Sequence, residues 1–434
     1  MRRSQLFGAG LISIACGARS SLPLGEALPT ATGGQLTSGG GVPATGGLPS
    51  SGGRTGREDA LGGGGLATGG ASTTKLKISG VAVGDDYSCA VVNGGVRCWG
   101  GNGFGQLGNG SSDVRKDSPV PTQVEGLTAG VSAISSSYAH TCVIIDGGAY
   151  CWGLSKYGQL GGFPTRDVPV RVQGLTAGVT AIAAGWSVTC AVVNGAAVCW
   201  GADLGANSAM MSAVPVQVPG LESGVSAIAV GAAHACAVAR GGVYCWGAGD
   251  WGQLGNGSFA DSLLTPVPVS GLASGVTAIA AGAFFTCAFA DGKVMCWGAN
   301  GGIYGSDELG SDSSEIRVPL PRQAVGLTSA VSALAMGEFD GCALTSGSVQ
   351  CWGVSGGSFP ISPHLQNVSA FIASRRPAKV PGFTSGVTGL AVGLAHICAV
   401  VNGEVECAGD NYYGQLGDGS TTSSSFPVKV AFPN

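Results

Sequence analysis

Short apolar stretches of four to eight residues, separated by glycine-rich turns, recur along residues 73–434. In one unit these stretches are residues 215–218, 224–231, 234–238 and 243–247. They are rich in Val, Ile, Cys and aromatic residues, which is typical of β-strands, and the region shows no helical periodicity. The pattern therefore predicts four short antiparallel strands in each repeat.

Every repeat also contains a dipeptide that ends in glycine and lies between two strand-like stretches. Such a dipeptide is a strong signal for a two-residue β-hairpin turn. The first residues of the seven dipeptides are Asn93, Asp146, Asn194, Arg240, Asp291, Ser346 and Asn402.

Fourteen of the fifteen cysteines form pairs with the spacing C-x8-C, and each pair brackets one of these turns. Counting outward from the turn places the two cysteines opposite each other, at a non-hydrogen-bonded position where Cα atoms are about 4.5 Å apart. Disulfides accept that separation, so the sequence predicts seven disulfides, each within one hairpin. The pairs are Cys89 with Cys98, Cys142 with Cys151, Cys190 with Cys199, Cys236 with Cys245, Cys287 with Cys296, Cys342 with Cys351 and Cys398 with Cys407.

The repeat length indicates a propeller. Successive first cysteines are 46 to 56 residues apart, which is typical of propeller blades. A proline-containing strand also recurs once per repeat, and we place it at a blade edge because proline cannot donate to a sheet ladder. Its prolines are Pro119, Pro169, Pro215, Pro266, Pro319, Pro377 and Pro427.

The two ends of the repeat region predict how the ring closes. No proline strand precedes the first hairpin, and no hairpin follows the last proline strand, residues 426–430. We therefore expect the C-terminal strand to complete the first blade, which leaves the ring without an open end. The predicted fold is an all-β, seven-bladed propeller of four-stranded antiparallel blades, closed by the C-terminal strand joining the first blade.

Particular motifs resemble a known repeat family. The segments His234-Ala-Cys-Ala-Val, Val243-Tyr-Cys-Trp-Gly and Trp251-Gly-Gln-Leu-Gly-Asn-Gly closely resemble the regulator of chromosome condensation repeat. Blades three, five and six lose or alter Gly-Gln-Leu-Gly, and Ala408 replaces the tryptophan that otherwise follows the second cysteine. The resemblance covers about residues 73–434 and implies the seven-bladed propeller of that family. Gly-Gln-Leu-Gly begins at Gly105, Gly158, Gly252 and Gly414.

The N-terminal residues predict export. Met1-Arg-Arg and the apolar residues 6–15 have the regions of a secretory signal, and the apolar part is too short to span a bilayer. Ile14-Ala15-Cys16-Gly17 resembles a bacterial lipobox, although Ser13 stands where that pattern usually has leucine. We therefore predict a lipoprotein-type signal peptide over residues 1–16 and lipidation of Cys16. The alternative is an ordinary secretory signal with an incidental cysteine, which would give a secreted protein.

Residues 17–72 contain 18 glycines together with many Ser, Thr, Ala and Pro residues. Such a composition cannot bury enough apolar surface to fold, so we predict a disordered tether with a root-mean-square span of roughly 40 Å. The tether links the lipid to a propeller over residues 73–434. With paired cysteines, which persist outside the reducing cytosol, these features predict a lipid-anchored protein at the bacterial outer membrane or cell surface.

The sequence gives little sign of catalysis. C-x8-C pairs lack the spacing of structural zinc sites, and C-x-x-C is absent. His140, His234 and His396 share a repeat position with Val and Phe, which indicates a structural position facing packed strands. There is no nucleophile elbow and no phosphate loop. We expect no enzymatic activity, no metal and no cofactor.

Two groups of residues are candidate binding residues. Aromatic residues precede Gly-Gln-Leu-Gly in four blades, and we expect these loops to gather on one face, although the rings could instead pack only their own loops. The second group lies in an irregular insertion in blade six, over residues 354–376, which is a recognition loop or unconstrained drift. The candidates are Phe104, Tyr157, Trp251, Tyr413, Phe359, Phe371, Arg375 and Arg376.

The leading hypothesis is a surface-anchored, monomeric binding scaffold that presents propeller loops to an extracellular or periplasmic protein or polysaccharide. It excludes nucleic acid as a partner and limits membrane contact to the lipid. The alternative is the founding role of the resembled family, nucleotide exchange on a small GTPase. That role belongs to intracellular, usually basic proteins, whereas this chain has a net charge of −4. A sugar-active enzyme is a third reading, but the loops lack paired carboxylates at matching positions.

Overall fold

A computed structural model describes residues 75–111, 116–202, 212–301, 307–327, 330–355 and 372–433. These residues form β-strands arranged as seven four-stranded antiparallel sheets, which are the blades of a ring. The seven-bladed propeller predicted from the sequence is therefore confirmed. Within these ranges no helix has the length and apolar character needed to cross a membrane.

The strands follow chain order from the axis outward in every blade. Blade one contains β1 (Ile78–Val83), β2 (Tyr87–Val92), β3 (Gly95–Gly100) and β4 (Ser118–Gln123). Blade two contains β5 (Val131–Ser137), β6 (His140–Ile145), β7 (Gly148–Gly153) and β8 (Arg166–Arg171). Blade three contains β9 (Val179–Ala184), β10 (Val188–Val193), β11 (Ala196–Gly201) and β12 (Ser212–Gln217). Blade four contains β13 (Val225–Val230), β14 (His234–Ala239), β15 (Gly242–Gly247) and β16 (Ser262–Pro268).

The remaining three blades repeat this arrangement. Blade five contains β17 (Val276–Ala281), β18 (Phe285–Ala290), β19 (Lys293–Ala299) and β20 (Arg317–Gln323). Blade six contains β21 (Val331–Met336), β22 (Asp340–Thr345), β23 (Ser348–Ser355) and β24 (Ile372–Lys379). Blade seven contains β25 (Val387–Val392), β26 (His396–Val401), β27 (Glu404–Gly409) and β28 (Ser424–Lys429).

The second and third strands of each blade form the predicted hairpin. In blade one the turn residues Asn93 and Gly94 have φ angles of 54° and 82°, as a type I′ turn requires. Cys89 of β2 lies opposite Cys98 of β3 in this hairpin, and every other blade repeats the register.

A disulfide joins the two facing cysteines in each hairpin, with the pairing that the sequence predicts. The Cα atoms of the bonded cysteines are 4.0–4.1 Å apart, slightly closer than the pairing geometry predicts. Of these cysteines only Cys199 is partly exposed. The bonds join Cys89 to Cys98, Cys142 to Cys151, Cys190 to Cys199, Cys236 to Cys245, Cys287 to Cys296, Cys342 to Cys351 and Cys398 to Cys407.

The proline strands lie at the outer blade edges, as predicted, but each belongs to the end of its own blade. Pro215, for example, lies in β12, which pairs with β11 of blade three, whereas the sequence pattern grouped it in one unit with residues 224–247 of blade four. The loop after the third strand turns the chain back onto that same strand. The linker after the proline strand then carries the chain to the axis and begins the next blade.

The predicted strand exchange at ring closure is wrong. The C-terminal strand β28 pairs with β27 of blade seven, with Val428 opposite Cys407. Blade one needs no strand from the C-terminus because β1 to β4 already complete it. Side-chain packing closes the ring instead. Val83 and Trp99 of blade one share an apolar cluster with Val400 of blade seven.

The hydrophobic core lies between the blades. Each main apolar cluster combines residues of two neighbouring blades, and we call each such interface a joint, numbered by its two blades. In joint 1/2, for example, Val91 and Cys98 pack with Ile134 and Trp152. The disulfide of each blade lies in the joint with the next blade, so the chain carries one disulfide per joint at the same place.

Candidate functional site

Two kinds of segment meet at one end of the ring, which we call the loop face. They are the turns between the first and second strands of each blade and the start of the loops between the third and fourth strands. An antiparallel sheet in chain order returns to the same end after every second strand. Neighbouring atoms lie so close to the backbone of these turns that a side chain at the glycine position would clash with them. At Gly84 a Cβ atom would lie 2.0 Å from a ring carbon of Tyr87.

Beneath the loop face, one side chain of each blade points into the next joint. This residue lies two positions before the first cysteine of its blade. In four joints it forms a hydrogen bond with the hydroxyl group of the residue immediately before the first cysteine of the next blade. The pairs are Tyr87 Oη to Thr141 Oγ1 at 2.9 Å, His140 Nε2 to Thr189 Oγ1 at 2.9 Å, His234 Nε2 to Thr286 Oγ1 at 2.7 Å, and His396 Nε2 to Ser88 Oγ at 2.8 Å. We call these contacts joint pairs.

The other three joints carry different residues at the two pair positions. Joint 3/4 has Val188 and Ala235, both buried and apolar. Joint 5/6 combines the large ring of Phe285 with Gly341. Joint 6/7 is the exception to this chemical matching, because the buried carboxyl of Asp340 corresponds to the buried Ile397.

A second contact joins the tryptophan after the second cysteine to the loop of the preceding blade. Its Nε1 donates to a backbone carbonyl at 2.9 Å in five joints. These bonds run from Trp152 to Gln106, Trp200 to Gln159, Trp297 to Gln253, Trp352 to Glu308 and Trp99 to Gln415. We call this contact the tryptophan bond. Four of its five acceptors belong to the Gly-Gln-Leu-Gly element, which therefore fastens each loop to the next blade.

Hydrogen bonding fixes the tautomer of two histidines. Thr189 Oγ1 donates its single proton to Gln159 O at 2.8 Å, so it accepts from His140 Nε2. Ser88 likewise donates to Gln415 O at 2.9 Å and accepts from His396 Nε2. Both imidazoles therefore carry their proton on Nε2. Among the described residues the Nδ1 atoms of both have no hydrogen-bond partner.

Burial also sets the charge of these groups. It lowers the pKa of His140, His234 and His396 to about 3, so all three imidazoles are neutral near pH 7. The structural role predicted for the histidine position is confirmed by its burial and by the joint pairs. Burial likewise raises the pKa of Asp340 well above its usual range. Its two carboxylate oxygens have no partner in the described part of the chain.

The glutamine of Gly-Gln-Leu-Gly also orders the aromatic residue before it. Its Oε1 accepts the backbone N–H of that residue in all four loops. The distances are 2.7 Å for Phe104, 2.9 Å for Tyr157, 2.8 Å for Trp251 and 2.9 Å for Tyr413. The same glutamine thus holds the aromatic residue through its side chain and the next blade through its carbonyl.

Aromatic rings from neighbouring blades meet on the loop face. The Phe104 ring centroid lies 6.4 Å from that of Tyr138, which contacts Trp186 edge-to-face at 5.7 Å. Trp186 and Phe284 pack against one small apolar cluster, and Phe284 lies 6.3 Å from Trp251. We call these five residues the aromatic arc. It extends from blade one to blade five, and all five rings remain partly exposed, with Phe104 40% exposed.

The loop aromatics predicted from the sequence thus divide into two groups. Phe104 and Trp251 join the arc, and the Arg317 guanidinium lies 4.8 Å from the Trp251 ring. Tyr157 lies beneath the ammonium group of Lys156 at 5.4 Å, and Tyr413 contacts Tyr412 edge-to-face at 4.8 Å.

Sequence reasoning missed several of these residues. Tyr138, Trp186 and Phe284 lie in the turns between the first and second strands, three or four positions before the first cysteine of their blades. That spacing could have identified them. The joint pairs also have a sequence signal. This signal appears only when two positions in successive repeats are compared. One is the residue two positions before the first cysteine of a repeat, and the other is the residue immediately before the first cysteine of the next repeat.

The blade-six candidates are only partly described. Phe359 and Phe371 lie outside the described residues, as do Cys16 and the whole of residues 1–74. Arg375 and Arg376 lie exposed in β24. The Arg376 guanidinium pairs with the Asp312 carboxylate of blade five at 2.5 Å, and this pairing lowers the pKa of Asp312. No group of three potential metal ligands occurs within the described ranges.

Family comparisons agree with this architecture. A family model of the regulator of chromosome condensation (RCC1) repeat matches residues 93–144, 146–192 and 240–289, and a second model of that repeat matches 276–305. The ultraviolet-B receptor UVR8 of Arabidopsis thaliana is 35% identical over 89 residues, 20% of this chain and 20% of the receptor. The E3 ubiquitin-protein ligase HERC2 of Homo sapiens is 31% identical over 189 residues, 42% of this chain and 4% of the ligase. The matched regions are thus small parts of both relatives.

Solved structures show the same fold. Yeast RCC1 (Prp20), in its complex with Kap60, superposes with a TM-score of 0.65 and 20% identity, covering 82% of this chain and 84% of the yeast chain. Human WBSCR16 superposes with a TM-score of 0.61 and 21% identity, covering 74% and 86% of the two chains. The repeat-model matches support membership of the RCC1 repeat family, and the solved structures share the seven-bladed fold of this chain.

Proposed function

We propose that the protein is a surface-anchored, non-enzymatic binding scaffold that presents its loop face to a protein or polysaccharide partner. The aromatic arc carries this proposal. Five rings from five consecutive blades meet there and stay partly exposed. Tyrosine and tryptophan are enriched at binding hot spots, and they contribute most when the scaffold already holds them in position.

The chemistry of the ring supports binding rather than catalysis. The three described histidines are fully buried and committed to joint pairs, so none of them faces a substrate as a general base. The fold of this family suits a binding or regulatory role. The yeast propeller is seen bound to Kap60, and a further yeast structure concerns the binding of Prp20p to Gsp1p and histones. The exchange-factor alternative is not favoured over the scaffold by these comparisons.

Surface attachment is supported by the N-terminal sequence. Cys16 follows a signal-like segment, and residues 17–72 have the composition of a flexible tether. A Cys16→Ser variant should release the protein into the medium with its binding intact. Mass spectrometry of the membrane-bound protein should find an acylated N-terminal Cys16. An unmodified chain that retains Met1 would contradict the anchor without bearing on the loop face.

The loop face is tested with a surface variant and a matched control. Phe104→Ala with Trp186→Ala removes two rings of the arc, whereas Phe426→Ala removes a ring that is 64% exposed on the outer strand β28. The full chain is screened against immobilised polysaccharides and displayed extracellular proteins. A ligand of this face should bind the double variant at least about tenfold more weakly, as for hot-spot residues, and bind the control as the parent does. Equal binding by all three proteins would place the site elsewhere.

A further inference from the structure

The seven joints are not equivalent. Joints 1/2, 2/3, 4/5 and 7/1 each have both a polar joint pair and a tryptophan bond. Joint 5/6 has the tryptophan bond and an apolar pair position, and joint 3/4 has an apolar pair and the buried Trp246. The loop that faces Trp246 lies largely outside the described residues.

Among the described residues, joint 6/7 has neither contact, and residues 356–371 of the blade-six loop lie outside them. Ala408 stands where the other blades have tryptophan, and its side chain has no donor to offer. The pair positions hold Asp340 and Ile397, and an isoleucine can neither donate to nor accept from a carboxyl group. Two independent positions are therefore mismatched in the same joint, and both lie near the loop face.

The mismatch includes a buried acid. Asp340 is fully buried, and its carboxylate oxygens have no partner among the described residues. Burial raises its pKa well above the usual range despite the opposing effect of its own backbone N–H, and no neighbouring charge contributes to that shift. A buried polar group without a partner favours any state that admits water to it. Joints 2/3, 4/5 and 7/1 also contain an unpartnered histidine Nδ1, but each offsets it with a joint pair and a tryptophan bond, whereas joint 6/7 has neither contact among the described residues.

The opposite end of the same joint is well packed. Phe383 is fully buried in the linker from blade six to blade seven, where the other linkers have leucine. It packs with Val349 of blade six and Leu390 of blade seven. The joint thus has firm apolar packing at one end and a mismatch at the loop face, which is the arrangement of a hinge.

We propose that joint 6/7 is a built-in opening of the ring, hinged near Phe383, through which blades six and seven separate locally at the loop face while the other joints stay closed. This goes beyond the proposed binding function and does not depend on the identity of a partner. Local openings of this kind cost less free energy than global unfolding.

The disulfides provide a reporter for each joint. The Cys342–Cys351 disulfide lies in joint 6/7, where its cysteines are 0% and 1% exposed, so a reductant reaches it only after the joint opens. The full chain is treated with dithiothreitol under native conditions, and early reduction is mapped by thiol alkylation and peptide mass spectrometry. We expect Cys342–Cys351 to be reduced first, about tenfold faster than the disulfides of joints 1/2, 2/3, 4/5 and 7/1, each of which has at least two interblade hydrogen bonds that joint 6/7 lacks among the described residues. The disulfide of Cys199 is left out because that cysteine is partly exposed.

Two variants that restore a match at the pair positions of joint 6/7 test whether the mismatch there causes the opening. We call these two variants the repairs. Asp340→Val copies Val188 of joint 3/4 and faces the existing Ile397, whereas Asp340→His with Ile397→Thr copies joint 2/3. Either repair should slow reduction of Cys342–Cys351 about fivefold, the factor for one net hydrogen bond or one removed unpaired group. The matched control grafts Val188→His and Ala235→Thr into joint 3/4 and should leave that rate unchanged.

Three results would overturn the proposal. They are equal early rates for all compared disulfides, first reduction in another of the compared joints, and equal slowing of Cys342–Cys351 by the repairs and by the control graft. The last result would mean that reduction follows global unfolding and that the joint has no opening of its own.

Discussion

His140 Nε2 of blade two donates a hydrogen bond to Thr189 Oγ1 of blade three across 2.9 Å. Thr189 keeps its hydroxyl proton and donates it in a hydrogen bond to the Gln159 carbonyl, so one short chain of hydrogen bonds connects a strand of blade two, a strand of blade three and the loop between the outer strands of blade two. The ring is held by such contacts between consecutive blades. The disulfides stay within single blades.

We first predict that the His140–Thr189 pair is strongly coupled. Thr189→Val leaves the buried Nε2–H of His140 without an acceptor, which should lower the free energy of unfolding by about 1–3 kcal/mol. Adding His140→Val removes that unpaired donor, so the double variant should be more stable than Thr189→Val alone. Urea unfolding at pH 7.5 measures the two single variants, Thr189→Val and His140→Val, and the double variant. Simple additivity of the two single costs would show that the residues do not act as a pair.

Acid should destabilise the ring through the same histidines. Their folded pKa is about 3, whereas an unfolded histidine titrates near 6.5. Below pH 6.5 the unfolded state therefore binds more protons, so stability is full above that pH and falls as pH drops toward 3. Each histidine contributes a loss of about 1.4 kcal/mol per pH unit, or about 4 kcal/mol per unit for all three.

The measurement for this prediction is urea unfolding between pH 7.5 and pH 4.5. His140→Val with Thr189→Ala, which copies the apolar joint 3/4, should remove about a third of the acid dependence. Asp340 acts in the opposite direction, because its raised folded pKa gives stability that is present below about pH 4 and lost as pH rises. A pH dependence that is unchanged in the double variant would assign the acid sensitivity to other groups.

The sequence predicted those features of the fold that depend on residues close together in the chain, and it failed where a feature depends on residues far apart in the chain. The Asn93-Gly94 turn and the register of Cys89 with Cys98 follow from the spacing of neighbouring residues, and the structure has both. Strand exchange was wrong because nothing near Pro427 shows whether its strand pairs with β27 or with blade one. That choice depends on which edge is already occupied in three dimensions.

The site shows the same limit. The sequence placed Phe104 and Trp251 on loops, but their neighbours Tyr138 and Phe284 come from the turn of the next blade. Likewise, the position of His140 was assigned a structural role without its partner Thr189, which lies 49 residues later. Contacts across a joint leave no local periodicity, so only a comparison between successive repeats could reveal them.

Loop glycines should differ sharply in their tolerance of alanine. Gly108 has a φ of 63°, and a Cβ there would lie 2.6 Å from Trp152 Nε1. Gly126 has a φ of 73° with nothing within 4 Å, and a Cβ at Gly103 also meets nothing within 4 Å. We expect Gly108→Ala to cost about 3 kcal/mol or more, Gly126→Ala about 1–2 kcal/mol and Gly103→Ala close to zero.

Thermal or urea unfolding of the three alanine variants checks this order. The Gly126→Ala value isolates backbone strain, and its difference from Gly108→Ala isolates the clash with the tryptophan that holds joint 1/2. If Gly108→Ala were as mild as Gly126→Ala, the loop would be able to move away from Trp152. The tryptophan bond to Gln106 would then be a weak part of that joint.

The hairpin turn of blade four should gain stability from a single substitution. Arg240 has a φ of 54°, a conformation that costs most L-residues about 1–2 kcal/mol and that asparagine adopts more readily. At the equivalent turn of blade three the Asn194 side chain lies against Gly178, and Gly224 offers the same space beside Arg240. Arg240→Asn should therefore raise the free energy of unfolding by up to about 1 kcal/mol, and the reverse change Asn194→Arg should lower it similarly. Urea unfolding of both variants measures this. A loss of stability in Arg240→Asn would mean that the arginine contacts, including the 3.5 Å hydrogen bond to Ser223 O, outweigh the backbone strain.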